Sequence, residues 1–179
     1  CNKLNGGCLL VFDLKKKTKE IKKYWDVNSY YQLPRLDISY ENAKIELKKI
    51  LKSACNYRMV SDVPVGVFLS GGYDSTAVSA ILQNGLSSKL KTFTIGFNDG
   101  NNEAVYAKQI ANYLGTDHSE FYCDTKNAQE ILHQLPEYYD EPFADSSAIP
   151  TILVSKLAVK SVTVALSADG GDETFAGYD

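Results

Sequence analysis

Residues Val63 to Thr76, VPVGVFLSGGYDST, constrain the fold of this chain more than any other stretch. A run of apolar, largely β-branched residues stops at Ser70, Gly71 and Gly72, and a new apolar periodicity begins after Asp74, through Ala77, Val78 and Ile81. That order predicts a buried strand, a tight glycine loop and a helix start. Paired glycines let the backbone approach an anion closely, Ser70, Ser75 and Thr76 offer hydroxyls, and the helix N-terminus offers unpaired N–H groups. A plain turn between strand and helix would account for the glycines alone. Asp74 is what that simpler reading leaves unexplained: a carboxylate beside a phosphate is unfavourable unless a divalent cation bridges them. The Walker pattern is absent, because no lysine follows Gly72.

The rest of the chain supplies strands and helices in alternation. Cys8 to Trp25 reads as a hairpin with a lysine-rich turn, and Asp26 to Asp37, which lacks a period, reads as a linker. Tyr40 to about Met59 has helical spacing and feeds the strand that carries the glycine loop. The helix after that loop runs to Gln83, with a stop at Asn84-Gly85, and Leu90 to Phe97 is a second buried strand. Asn102 caps a helix from Glu103 to Leu114, His118 to Cys123 is a short strand, and a helix from Ala128 to Tyr138 breaks near Pro136. A helix from about Ile149 to Val159 precedes a fourth strand, Val162 to Leu166. The expected fold is α/β: a doubly wound, mostly parallel sheet with helices on both faces, preceded by a short β-hairpin.

The fourth strand ends in SADGGDETFAGY, Ser167 to Tyr178, again small residues, a glycine pair and carboxylates at Asp169, Asp172 and Glu173. An acidic surface turn would look similar. Two such loops at the C-terminal ends of two strands, however, are what a doubly wound sheet places together at its ligand crevice. DEPFADSS, Asp140 to Ser147, is either part of that crevice or a solvated loop with a helix cap at Ser146 or Ser147. Arg58, just upstream of the first loop's strand, offers either a phosphate contact or a surface ion pair.

Composition narrows the partners. A net charge of −3 gives no general attraction to nucleic acid or anionic membrane. The six lysines between Lys15 and Lys23 lack interleaved aromatics and arginine, so they read as a solvated hairpin tip. No apolar run approaches the roughly 18 residues that span a bilayer, and no signal-peptide pattern is present, so the cytoplasm is the expected location. Cysteines at positions 1, 8, 55 and 123 have no metal-site spacing and are expected as free thiols. His118 and His133 stand outside any metal-ligand cluster.

SGGYDS, Ser70 to Ser75, is similar to the SGGxDS pyrophosphate-loop signature of ATP pyrophosphatases, a group that includes asparagine, β-lactam, GMP and NAD synthetases. Together, SDVPVGVFLSGGYDST, DEPFADSSAIPT and LSADGGDETFAGYD resemble more narrowly the synthetase domain of glutamine-hydrolysing asparagine synthetases of the bacterial and archaeal type, from about Tyr40 to Asp179. The hairpin ending KKYWD resembles the tail of that family's glutaminase domain, which implies a boundary between residues 1–36 and 37–179. Cys1 stands in a sequence unlike the start of that domain, and the chain stops short of downstream residues of the family's synthetase site.

The resemblance implies an adenine nucleotide α-hydrolase-like fold and an ATP-dependent ligase. It would adenylate the aspartate β-carboxylate, release pyrophosphate and form asparagine with ammonia from a glutaminase domain, with magnesium as the cation. A related amidotransferase acting on another carboxylate, or an ATP-binding module without turnover, would carry the same motifs. By resemblance, Ser70, Gly71, Gly72, Ser75 and Thr76 hold the departing pyrophosphate, and Asp74 and Asp172 attend magnesium. Leu69, Ile95 and Ser167, with Ala168 and Gly170, fall along the nucleotide pocket. Asp74 and Asp169 are the expected catalytic residues, Asp169 at a position linked to ammonia attack. Tyr73 replaces the family's commoner leucine and Ala168 its usual glycine. Oligomeric state has no readable signal.

Overall fold

A computed structural model describes residues 2–98, 102–142, 144–175 and 177. It divides into two compact units, residues 1–43 and 44–179.

In the first unit, strands β1 (Cys8–Asp13) and β2 (Thr18–Lys23) pair antiparallel, from Cys8 opposite Lys23 to Asp13 opposite Thr18. The Asp13 carboxylate accepts the N–H groups of Lys15 and Lys16, each at 2.9 Å, so the lysine-rich tip is a turn built on an acidic side chain. The presumed linker holds a single helical turn, α1 (Val27–Tyr31), whose N–H at Asn28 is capped by the Asp26 carboxylate. Five residues with no buried side chain leave no periodicity to detect, and only the Asp26 cap signalled this turn.

Helix α2 (Tyr40–Arg58) leads to the second unit's sheet, which contains β3 (Val65–Phe68), β4 (Lys91–Phe97), β5 (Asp117–Cys123) and β6 (Val164–Leu166). The strand order is β5-β4-β3-β6, and every neighbouring pair is parallel. Helices α3 (Tyr73–Gln83) and α4 (Glu103–Leu114) connect β3 to β4 and β4 to β5. After β5 the chain returns across the sheet through α5 (Thr125–Leu132), α6 (Leu135–Tyr138) and α7 (Ala148–Ala158) to reach β6. Crossovers that step in opposite directions and keep the same right hand must lie on opposite faces.

The core clusters follow that rule. Val67, Leu82, Leu90 and Cys55 join α2 and α3 to one face, and Leu69 packs with Ala107 and Ala111 of α4. Phe93, Val154, Ala158 and Val162 join α7 to the other face, beside Phe68 and Ile95. The adjacent cluster of Cys123, Ile131, Ile152 and Leu153 brings in α5. Alternation along β3 therefore sends Val67 and Leu69 to the α3 and α4 side, and Phe68 to the α7 side.

Most expected elements lie within two or three residues of their observed bounds. The expected helix over residues 128–138 is two short helices, because Pro136 opens a new turn at α6. The second glycine loop is partly helical, with α8 at Gly171–Phe175. Cys8, Cys55 and Cys123 are free thiols. Cys1, Phe143, Ala176, Tyr178 and Asp179, which belong to stretches singled out above, lie outside the described residues. Among the described residues, no helix is long and apolar enough to cross a membrane.

Candidate phosphate-loop site

The switch point of this sheet lies between β3 and β6, where successive connections leave in opposite directions. Ligands of open α/β sheets bind outside the C-terminal strand ends at such a point. Both glycine loops stand there, one after each strand.

The first loop is held from inside by Ser75, which is 7% exposed. Its hydroxyl accepts the Ser70 N–H at 3.2 Å, lies 3.0 Å from the Ser70 hydroxyl and donates to the Gly72 carbonyl at 3.3 Å. The Gly72 N–H donates in turn to Ser70 Oγ at 3.3 Å. Ser75 thus shapes the loop, while Ser70 remains on its exposed side. Gly72 occupies the N-cap of α3 with no side-chain cap, so the helix's first N–H groups receive no capping oxygen from it. Thr76 Oγ1 is buried with no hydrogen-bond partner among the described residues, a polar group for which a ligand oxygen would be a suitable partner.

Gly71 has φ +92°, and a Cβ there would stand 3.0 Å from the Ala107 nitrogen and 3.1 Å from Tyr106 Cβ. Only glycine fits both the conformation and the approach of α4. A cavity of about 270 Å3 opens beside it, lined by Ser70, Gly71, Gly72, Glu103 and Tyr106. Glu103 and Tyr106 were not anticipated as site residues. Their signal was slight: they flank the apolar stripe of α4 on its exposed border, as ordinary surface positions do.

The second loop meets the first through Asp74. Its carboxylate lies directly against Gly171, so that a methyl group at Gly171 would overlap it. Asp172, in the first turn of α8, turns its carboxylate toward Gly177 and is half-buried. Asp169 is exposed, and its N–H donates to Ser167 Oγ at 3.2 Å; Gly170, at φ +92°, and Ala168 complete the turn, with the Gly171 N–H donating to the Ala168 carbonyl. No group of three or more His, Cys, Asp or Glu side chains converges among the described residues. Asp74 and Asp172 carry, one from each loop, the carboxylate oxygens that a hard ion such as magnesium takes.

Leu69 is 1% exposed beneath α4, and its N–H donates to the Phe93 carbonyl at 2.9 Å, which fixes the end of β3 against β4. Ile95 is half-buried and directs its side chain to the α7 core. Arg58 ends α2, which delivers the chain to the N-terminal end of β3, opposite the glycine loop; the residue complements that helix's C-terminus. In DEPFADSS the helix-start contact is made by Asp145, which accepts the Ser147 N–H at 2.8 Å; that bond holds its carboxyl below the usual carboxylate range. Ser147 sits at the N-cap without a side-chain cap bond.

His118 lies in a threonine network. Thr92 Oγ1 is 2.9 Å from both Thr116 Oγ1 and His118 Nδ1, while His118 Nε2 is buried without a partner among the described residues. Burial lowers the histidine pKa, partly offset by Glu120. Lys108 of α4 pairs with Glu120 of β5, which lowers the carboxyl and raises the ammonium.

An open parallel sheet with two glycine and carboxylate loops joined at its switch point defines the nucleotide-type class of α/β domain. The chain belongs to the asparagine synthase family, whose model matches residues 46–179. It is 44% identical over 179 residues to "Putative asparagine synthetase (glutamine-hydrolyzing) 2" of Methanocaldococcus jannaschii, covering 98% of this chain and 34% of that protein. It is 38% identical over 157 residues to asparagine synthetase (glutamine-hydrolyzing) 1 of Bacillus subtilis, covering 84% of this chain and 24% of that protein. The chain therefore spans a quarter to a third of the length of these relatives. Among solved structures, an NH3-dependent NAD synthetase from Campylobacter jejuni superposes with a TM-score of 0.49 at 15% identity, over 79% of this chain and 62% of that one.

Proposed function

We propose that this chain is the synthetase part of an ATP-dependent amide ligase that adenylates the aspartate β-carboxylate, releases pyrophosphate and lets ammonia displace AMP to form asparagine. The observation that carries the reading is the contact of the Asp74 carboxylate with Gly171, which joins the two motif loops into one crevice. In this reading Ser70, Gly71, Gly72 and the first N–H groups of α3 receive the β- and γ-phosphates, with Thr76 Oγ1 as a further partner. Leu69, Ile95, Ser167, Ala168 and Gly170 line the nucleotide, and Asp169 faces the acyl centre where ammonia attacks. Asp74 and Asp172 would hold magnesium, which when bound would supply neutralisation of phosphate charge.

Adenylation brings an anion against a polyanion, so catalysis here is positioning and electrostatics. A loop held in shape by Ser75, leading into the N-terminus of α3, needs little reorganisation when the leaving group gains charge. The scissile bond joins the α- and β-phosphates; the carboxylate oxygen forms the new bond to the α-phosphorus, and the bridging electrons leave with pyrophosphate. Ammonia then attacks the acyl carbon, and AMP departs. The family membership supports the same reading, with ammonia drawn from glutamine by a separate domain of which residues 1–36 are the tail.

The test is a screen of carboxylates for pyrophosphate release by the full-length protein, with ammonia and with glutamine. Aspartate-dependent release with both nitrogen donors is expected. Release with a different carboxylate would reassign the acceptor, and ATP binding without release with any carboxylate would leave a nucleotide-binding module.

A further inference from the structure

Gly96, near the C-terminal end of β4, has no room for a side chain. A Cβ there would stand 2.8 Å from two ring carbons of Tyr122 and 2.9 Å from the Ala104 Cβ. Three elements meet at this point: β4, the edge strand β5 through Tyr122, and the first turn of α4 through the fully buried Ala104. The Tyr122 ring is anchored at its far end as well. Its hydroxyl donates to the Glu120 carboxylate at 3.3 Å, and Glu120 pairs with Lys108, one turn beyond Ala104 on the same side of α4. The same two turns of α4 bear on the glycine loop, since the place of a Cβ at Gly71 lies 3.0 Å from the Ala107 nitrogen and 3.2 Å from the Glu103 carbonyl oxygen.

We propose that Tyr122 is a positioning residue for the glycine loop: its ring, seated on Gly96, sets how far the first turn of α4 stands from Gly71, and so the shape of the loop during pyrophosphate release. The inference rests on the adenylating reading and carries the site's dependence out to the edge strand. Close-packed interiors transmit a displacement instead of absorbing it. Removing the ring opens a void beside Ala104, into which α4 can settle away from the loop. A methyl group at Gly96 pushes the ring or the helix outward. Either change alters the contact with Gly71, whose φ of +92° leaves it no slack. The opposite face of β5 provides a matched control. Phe121 is exposed to the same degree as Tyr122, 38% against 39%, but alternates onto the α7 side with Cys123.

Pyrophosphate release and hydrogen exchange of the amides of residues 70–76, both in the full-length protein, read this role. Tyr122→Ala is expected to lower kcat about tenfold and to speed exchange in the loop, since a misplacement of about 1 Å can cost about a hundredfold. Tyr122→Phe, which keeps the ring, is expected to keep the parental rate. Phe121→Ala is expected to lower the thermal midpoint as Tyr122→Ala does while leaving kcat and loop exchange unchanged, which separates positioning from mere loss of stability. Where Tyr122→Ala melts below the assay temperature, Gly96→Ala disturbs the same contact and carries the same expectation. Parental kcat and loop exchange in both Tyr122→Ala and Gly96→Ala, or an equal fall of kcat in Phe121→Ala, would overturn the inference while the ligase reading stands. A parent that releases no pyrophosphate with any carboxylate would remove the ligase reading, and loop exchange in Tyr122→Ala would then decide by itself whether the ring holds the loop.

Discussion

Gly171 has no room for a side chain because the Asp74 carboxylate occupies the place where its Cβ would stand. Gly171→Ala must displace either the carboxylate or the second loop. Pyrophosphate release by the full-length protein is then expected to fall at least about tenfold, with little change in the urea midpoint, since Gly171 lies outside the core clusters. Asp74→Asn keeps the shape and removes the charge, and release should drop by about a hundredfold or more, the scale seen when one preorganised electrostatic group is lost. Turnover near the parental rate in that variant would sink the assignment of Asp74. Ser75→Ala acts on stability instead: the Ser70 N–H loses its acceptor inside the loop, at a cost of about 1–3 kcal/mol that chemical denaturation would register. The sequence already pointed to Asp74, Gly71 and Ser75 by type and spacing. It did not separate the inward hydroxyl of Ser75 from the outward one of Ser70, which depends on how the loop closes.

At the scale of elements, the outer edge of the sheet is expected to lose stability in acid. His118 of β5 sits among Thr92, Thr116, Glu120 and, from α4, Lys108, and burial holds its pKa below the ordinary value of 6.5. Between its folded pKa and 6.5 the unfolded chain binds more protons, so stability is full above pH 6.5 and falls as the pH drops through that window. Glu120, lowered by Lys108, acts in the same direction at lower pH. Urea midpoints measured at pH 7.5 and 5.5 should therefore decline with acid, and His118→Gln should flatten the decline by keeping a partner for Thr92 without a proton to gain. An equal decline in parent and variant would remove His118 as the source. The long amphipathic helices α2, α3 and α4 were legible because burial imposes a period on their residues. The one-turn helices α1 and α8 were not, since five residues contain barely more than one period.

Across the whole molecule, the sheet is a wall between two helical layers, and Phe93, 1% exposed, fills the α7 side of it. Phe93→Ala should cost about 3–5 kcal/mol, measurable as a lower urea midpoint with unchanged slope, because the parallel strands around it have little freedom to collapse into the void. A loss below about 1 kcal/mol would show that the two layers are less closely packed than the burial implies. By itself the sequence determined the βαβ order, the apolar strands, the helix caps at Asn102 and the two glycine loops, because these are set by local chemistry and by periodicity along the chain. Only the tertiary structure decided that the return through α5, α6 and α7 places β6 beside β3, that Asp74 therefore meets Gly171, and that α4 lends Glu103 and Tyr106 to the cavity at the loop. Those are juxtapositions of residues tens to nearly a hundred positions apart, fixed by strand pairing and the handedness of crossovers.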